Sequence, residues 1–350
     1  MTPFSPWISR SRRGAARALL GLALGVGAAP LAAQYPLAPT PVMPRELFSR
    51  QVNLTGYLSA RATVRDGAAT FVVNRARVTA HVLPVPFAAL RIQADFSAVG
   101  RASGDTVPAF TLTDAYVLLF LPDTTSGAVH LLHPSLVVGQ FRTPFSLEYL
   151  TPYALLPTVN RSQAVDRLST RRDLGVLGQV RLARIAAITA AVVNGEGPNR
   201  TSNPDGKQMV VGRLTLFPTT RLALSGKWLR QGRDHRWGYD ARWVGERLVM
   251  EGEAIEKTGL GDGTAAGNGR GGYLLVAYRP QSWLQLAVKW ERLRETSGPG
   301  MTERQLTWTT YGINLLGPQE RLRFQLGWIA KTERPVAARD EFVGQIQAIF

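Results

Sequence analysis

The sequence predicts an all-β fold, a transmembrane antiparallel β-barrel of about 16 strands. Two observations carry that expectation. Apolar and polar residues alternate with period two in segment after segment, as in strands that are wet on one face and apolar on the other. The connections between segments come in two sizes, as in barrels with tight turns at one rim and longer loops at the other. A helical span is not expected, because the longest apolar run, 18–33, has 16 residues and a crossing helix needs ~20.

The first strand, 51–65, sets Val52, Leu54, Leu58, Ala60, Ala62 and Val64 against Asn53, Thr55, Ser59, Arg61, Thr63 and Arg65. Further strands are expected near 70–83, 86–99, 110–121 and 135–141, then at 173–183, 185–194 and 207–217. Eight more follow at 220–230, 236–244, 246–257, 270–280, 282–295, 303–315, 319–332 and 341–350. Segments 110–121 and 185–194 alternate poorly, whereas 319–332 alternates cleanly, with Leu322, Phe324, Leu326 and Trp328 opposing Arg321, Arg323 and Gln325. Short connections include Leu83-Pro84-Val85-Pro86, Pro280-Gln281 and Gly317-Pro318-Gln319; longer ones cover 100–109, 195–205, 259–269 and 332–340. Aromatics suited to the two membrane girdles are Tyr57, Phe217, Trp228, Trp237, Trp243, Tyr278, Trp283, Trp290, Trp308 and Trp328. A soluble sandwich or propeller would also alternate. Here, however, the polar face carries arginine along nearly the whole chain. The last strand, moreover, ends on Phe350, which resembles the signal by which barrel-assembly machinery, an expected partner, recognises its clients.

Of the 350 residues, 45% are hydrophobic and 19% charged, too apolar a balance for disorder. With no cysteine, disulfide scaffolds, Cys-based zinc sites, iron–sulfur clusters and thiol nucleophiles are excluded. The net charge of +16 admits nucleic acid, a membrane surface or an anionic solute, although a preference for Arg codons also accounts for it. Residues 1–33 read as a secretory signal: Arg10, Arg12, Arg13 and Arg17 form its basic part, 18–27 its apolar part, and Leu31-Ala32-Ala33 its cleavage site. Its removal lowers the charge to +12 and carries the chain away from chromosomal DNA, so no nucleic-acid partner is expected. Residues 34–50 read as a periplasmic lead-in and 51–350 as the barrel.

Four segments together resemble the phosphate-selective porin O and P family. They are Asn74-Arg75-Ala76-Arg77-Val78; Asp95-Phe96; Thr113-Asp114-Ala115-Tyr116-Val117; and Val138-Gly139-Gln140-Phe141-Arg142-Thr143-Pro144-Phe145-Ser146-Leu147-Glu148, followed by Arg172-Asp173-Leu174-Gly175-Val176. Asn74 stands where the family often has Arg. The resemblance implies a sixteen-stranded porin of the bacterial outer membrane, embedded in its lipid, usually a homotrimer, passing small anions such as phosphate. It also implies that the connection 142–172 folds inward as a constriction loop. The apolar residues of that connection (Phe145, Leu147, Tyr149, Leu150, Tyr153, Leu155 and Leu156) agree with burial against a wall. Arg142, Arg161, Arg167, Arg171 and Arg172 would then serve the channel, against Glu148 and Asp166; packing at a subunit interface is the alternative.

Taking the polar parity as lumen-facing gives the basic residues Arg61, Arg65, Arg75, Arg77, Arg91, Arg181, Lys207, Arg213, Arg221, Lys227, Arg242, Lys289, Arg321, Arg323 and Lys331. The acidic ones are Asp95, Asp173, Asp240, Glu251, Glu253, Glu291 and Glu341, which leaves the lumen about +8. Confined cationic walls concentrate anions and exclude cations, and Arg holds oxyanions bidentately. Other signals read as decoys. His130 and His133 lack nearby carboxylates, His81 points inward at a strand end, and His235 sits in a polar turn at 231–236. The glycines between 259 and 272 precede a strand, not the helix a phosphate cradle requires, and read as an external loop. No Ser, His and carboxylate group together, so neither enzyme activity, nor a metal, nor a cofactor is expected. The expected function is passive, anion-favouring diffusion; a structural or adhesive barrel with a plugged or non-selective lumen is the alternative.

Overall fold

The computed structural model describes residues 51–97, 110–120, 132–259, 267–296 and 303–350, together with Leu37. The expected signal and most of the lead-in lie outside the described residues, as does His130. Sixteen antiparallel strands close into a barrel in sequence order. They are β1 (Asn53–Arg65), β2 (Ala68–Val85), β3 (Ala88–Asp95), β4 (Thr111–Phe120), β5 (Leu132–Arg142), β6 (Arg172–Leu182), β7 (Ala186–Val193) and β8 (Met209–Thr219). The second half is β9 (Leu222–Gln231), β10 (Asp234–Val244), β11 (Leu248–Thr258), β12 (Asn268–Gln281), β13 (Leu284–Thr296), β14 (Arg304–Leu316), β15 (Leu322–Arg334) and β16 (Glu341–Ile349). In hydrocarbon every backbone N–H and C=O needs a partner within the protein, and closure supplies it without leaving an edge.

The closing seam pairs β1 with β16, from Tyr57 opposite Ile349 to Val64 opposite Phe342. Gly56 and Phe350 extend it with reciprocal backbone hydrogen bonds of 2.9 and 3.0 Å. The Phe350 ring lies across Gly56, where a Cβ would come within 2.5 Å of it. Two-residue turns at 220–221 and 282–283 mark the rim where β1 starts and β16 stops, here the turn rim. The opposite loop rim carries the connections 143–171 and 194–208, but also the tight Asp66-Gly67 turn, with φ of 55° and 79°.

Alternation decides which side chains meet lipid. In β13, Leu286, Val288 and Trp290 are exposed on the outer wall while Gln285, Lys289 and Glu291 are buried inside. Trp228, Trp237, Tyr278, Trp283 and Trp328 also face out. Tyr57 and Trp308 do not belong to a girdle. They fall on the inward parity, Trp308 donating to Glu333 at 3.0 Å under the Lys331 ammonium. His235 lies within β10 rather than in a turn, and Gly269, Gly271 and Gly272 belong to β12 rather than to a loop. The poor alternation of the two weak segments has physical causes. A bulge in β4 adds Thr113, so that Thr113 and Asp114 are both buried; the inner face of β7 is itself apolar, through Ala187, Ala191 and Val193. A second bulge adds Asn74 opposite the Ser59–Ala60 step and turns both Asn74 and Arg75 inward.

The core of the molecule lies inside the barrel. The connection 143–171 enters the lumen as α1 (Leu147–Leu150), a 3-10 turn (Tyr153–Leu155) and α2 (Gln163–Leu168). Its Phe145, Tyr149, Val165 and Leu168 join Phe141, Val211, Leu229, Ile255, Leu275 and Leu293 of the wall in one buried cluster.

Candidate functional site: the loop-narrowed lumen

Inward glycines make the seat for the loop. A Cβ at Gly269 would meet the Leu168 side chain at 2.5 Å, one at Gly271 the Ala164 Cβ at 3.0 Å, and one at Gly327 the Val159 side chain at 2.9 Å. An irregular segment at membrane depth must also find partners for its backbone. Wall amides supply several of them. Gln325 donates to the Leu156 carbonyl (3.1 Å), Asn314 to Pro157 (2.8 Å) and Gln347 to Ala154 (3.0 Å). Arg61 donates to the Val159 carbonyl (2.5 Å), the Asn160 side chain (2.8 Å) and the Tyr153 hydroxyl (2.8 Å).

Charges complete the seat. Ser146, the N-cap of α1, accepts from the Tyr149 N–H and donates to Glu253, which also accepts from the Leu147 and Glu148 amides. Lys227 binds Glu253 and Asp240, and Arg213 binds Asp240 at 2.7 Å. Glu148 reaches Lys289 (3.0 Å) and the Ser162 amide (2.7 Å), and Arg242 joins Glu251 (2.7 Å) to the Thr151 hydroxyl (2.7 Å). Burial pushes the Glu148 carboxyl up to about 7, against the opposing pull of Lys289 and the Ser162 amide. Arg213, Lys227, Arg242 and Lys289 therefore lie on the lumen side of the wall but beneath the loop, each matched by acid. Arg323 is likewise buried and paired, with Glu320 at 2.6 Å.

The other side of the loop differs. The Arg75 guanidinium lies 4.7 Å over the Tyr153 ring, Arg161 lies 5.3 Å from Tyr153 and 4.7 Å from Tyr149, and Arg172 lies 5.9 Å from Tyr149. Each tyrosine ring is thus shared by two arginines, at separations suited to cation–π attraction. Around this stack Arg77 pairs with Asp95 (2.8 Å), Arg91 and Arg172 share Asp114 (3.1 and 2.6 Å), and Arg142 donates to the Leu150 carbonyl (2.8 Å). Six arginines (Arg75, Arg77, Arg91, Arg142, Arg161 and Arg172) meet two carboxylates. The Tyr149 phenol registers the imbalance: burial would raise its pKa, but Arg172, Arg161, Arg142 and Arg171 outweigh burial and hold it below the ordinary value.

The remaining candidates scatter. Arg181 and Arg321 are exposed near the turn rim, Arg181 over the Phe217 ring at 5.2 Å. Arg221 pairs with Glu246 at 3.6 Å, while Arg65 and Lys331 both reach Glu341. Arg167 is exposed and paired with Glu295 (2.6 Å), and Arg171 is exposed. Asp173 accepts from the Gly195 and Gly197 amides and anchors the 194–208 connection instead of lining the path. His81 is buried against Arg91 at 3.2 Å. Sequence reasoning missed Tyr149 and Tyr153 as arginine platforms, and it missed the seat glycines. The latter did carry a signal, since Gly269, Gly271 and Gly327 sit where polar or bulky inward residues were due. Among the described residues no group of His, Asp or Glu has the geometry of a metal site.

No family model matches the chain, and no curated protein matches it. Solved structures do. A loop-L8 deletion mutant of OmpT, an outer membrane protein of Vibrio cholerae, superposes with a TM-score of 0.59 at 10% identity, covering 86% of this chain and 99% of that one. The outer membrane channel DcaP of Acinetobacter baumannii gives 0.58 at 10% identity, covering 85% and 97%. OmpF of Salmonella typhi gives 0.60 at 11% identity, with the same coverage of 85% and 97%. The chain has the porin fold. Its closed barrel and outward apolar band place it in the bacterial outer membrane.

Proposed function

We propose that the protein is a passive porin that favours anions, with phosphate-like oxyanions as the best-matched solutes. The observation that carries this reading is the Arg–Tyr stack, in which six arginines meet two carboxylates on the other side of the loop, Arg91 and Arg172 buried and the rest half-buried. Low-dielectric walls strengthen that surplus, so anions concentrate there and cations are repelled. The tyrosine faces hold Arg75 and Arg161 without neutralising them, and neither forms an ion pair among the described residues, so their positive charge stays available to an oxyanion. Arg75 and Arg161, half-buried, follow one another along the stack and give a permeating anion successive moderate sites rather than one tight one, as conduction requires, while Arg172, buried on Asp114, adds to the local field. The ion-paired face of the loop plays the complementary part. It fixes the constriction while adding little net charge.

The resemblance over 74–176 supports the oxyanion preference, because its segments contribute Arg75, Arg77, Asp114, Arg142 and Arg172. A Vibrio cholerae relative in fold is described in a trimer form, which supports a homotrimer here. Residues 1–33 act as the export signal in this reading. The test is chloride current through single channels with phosphate added. Phosphate reduces the current in the parent protein, and Arg161→Gln weakens that block several-fold. Equal block in both proteins, or none in either, contradicts the assignment.

A further inference from the structure

The lipid-facing surface of β8–β13 is not an even apolar band. A groove of about 1060 Å³ runs over it. Small outward residues form its floor: Ala241 stands opposite Gly252, Ala254 opposite Gly272, and Gly226 opposite Tyr239. Tyr239 and Leu274, 61% and 62% exposed, rise beside it with Trp237 and Trp290.

Arginines crown the groove at its loop-rim end. Arg270 stands opposite Arg294, and Arg292 stands opposite Gly272, one step deeper into the band. Across the described strands, the outward-facing charged positions are Arg230, Glu256, Arg270, Arg292, Arg294 and Arg334, so half of them gather here. The arginines inside the barrel have protein partners. Among the described residues Arg270, Arg292 and Arg294 form no ion pair, although Glu256 is the register neighbour of Arg270. An arginine on the lipid face costs more the deeper it lies, so three of them together call for negative charge from outside the chain.

We infer that this groove binds a phosphate-bearing lipid of the outer leaflet, with its head-group phosphates on Arg270, Arg292 and Arg294 and one acyl chain along the glycine floor. The guanidinium fork matches phosphate oxygens bidentately. The arginines sit at the loop rim, above Trp290 and Tyr239, at the height where head groups meet the hydrocarbon. Acyl chains are already in hydrocarbon, so the groove contributes shape and packing while the phosphates supply the selection. A neighbouring copy of this chain is the poorer occupant. It would have to bring carboxylates, and Glu256 is the single outward acid on the described strands.

The experiment is native mass spectrometry of the full-length protein in detergent, titrated with diphosphorylated lipid A and, separately, with phosphatidylcholine. The parent protein retains lipid A in preference to phosphatidylcholine. The triple variant R270Q/R292Q/R294Q binds lipid A at least tenfold more weakly, while Arg334→Gln, outward at the same rim, binds as the parent does. Gly226→Leu fills the groove at a position where a Cβ meets no heavy atom within 4 Å, and it also weakens retention. Parent-like conductance in the variants shows that the barrel is folded. Equal lipid A binding by parent and triple variant overturns the site. A change in oligomeric state with lipid binding intact overturns it too, in favour of a second copy of the chain.

Discussion

Arg161 shows how much one residue decides. It is held by the Glu148 and Thr151 carbonyls and shared between two tyrosine rings, with no carboxylate partner among the described residues. Arg161→Glu is therefore expected to shift selectivity toward cations, and Arg75→Glu to do the same. Reversal potentials in a salt gradient check both, and an unchanged value would remove these residues from the permeation path. Glu148 makes a second residue-scale prediction, about pH. Burial raises its pKa from the usual 4.5 to about 7 when the loop is seated, so seating takes up a proton. That stabilisation is fully present below 4.5 and lost as pH rises through about 7. Loop-opening events in single-channel records should become rarer as pH falls from about 8 to about 5, and Glu148→Gln should flatten the dependence. Side-chain direction was legible in the sequence for Arg75, Arg77 and Arg91, because parity fixes which face a strand residue occupies. Parity does not say what covers that face. For this reason Arg213, Lys227, Arg242 and Lys289 read as channel walls, whereas the structure shows them as loop anchors.

At the scale of elements, the strands were readable and the seat of the loop was not. Predicted and observed strands differ by a few residues at their ends, since alternation persists through most of each strand. The bulges at Asn74 and Thr113 each insert one residue, and a single insertion looks in sequence like an ordinary lapse in the pattern. Those two lapses matter, because they add Asn74 and Thr113 to the inward face beside Arg75 and Asp114. The loop's path depends on contacts far apart in the chain, such as Val159 on Gly327, which no local pattern encodes. Gly327→Leu should displace Val159, lift the loop and raise single-channel conductance while the barrel remains closed. Lys289→Ala should leave Glu148 buried without its cation, a loss of about 3–5 kcal/mol for a broken buried pair. Faster proteolytic cleavage within 143–171 would report it; cleavage at the parent rate would show that the pair does not hold the loop.

The whole molecule joins two charge patterns that serve different ends. Beneath the loop, cations and acids alternate in a nearly neutral buried network that holds the loop against the wall from β8 to β15. On the other side, arginine exceeds acid three to one. The outer wall is apolar over most of its surface, as hydrocarbon demands. Its strand count and its closure followed from alternation repeated along the chain. Net charge alone did not reveal how the arginines divide, because anchors, path and outer wall all draw on the same residue type. The most direct test of the account is the reversal potential of the purified parent protein in a planar bilayer across a KCl gradient. The expected sign shows chloride carrying most of the current. A potassium-selective sign, or no channels at all, would contradict it.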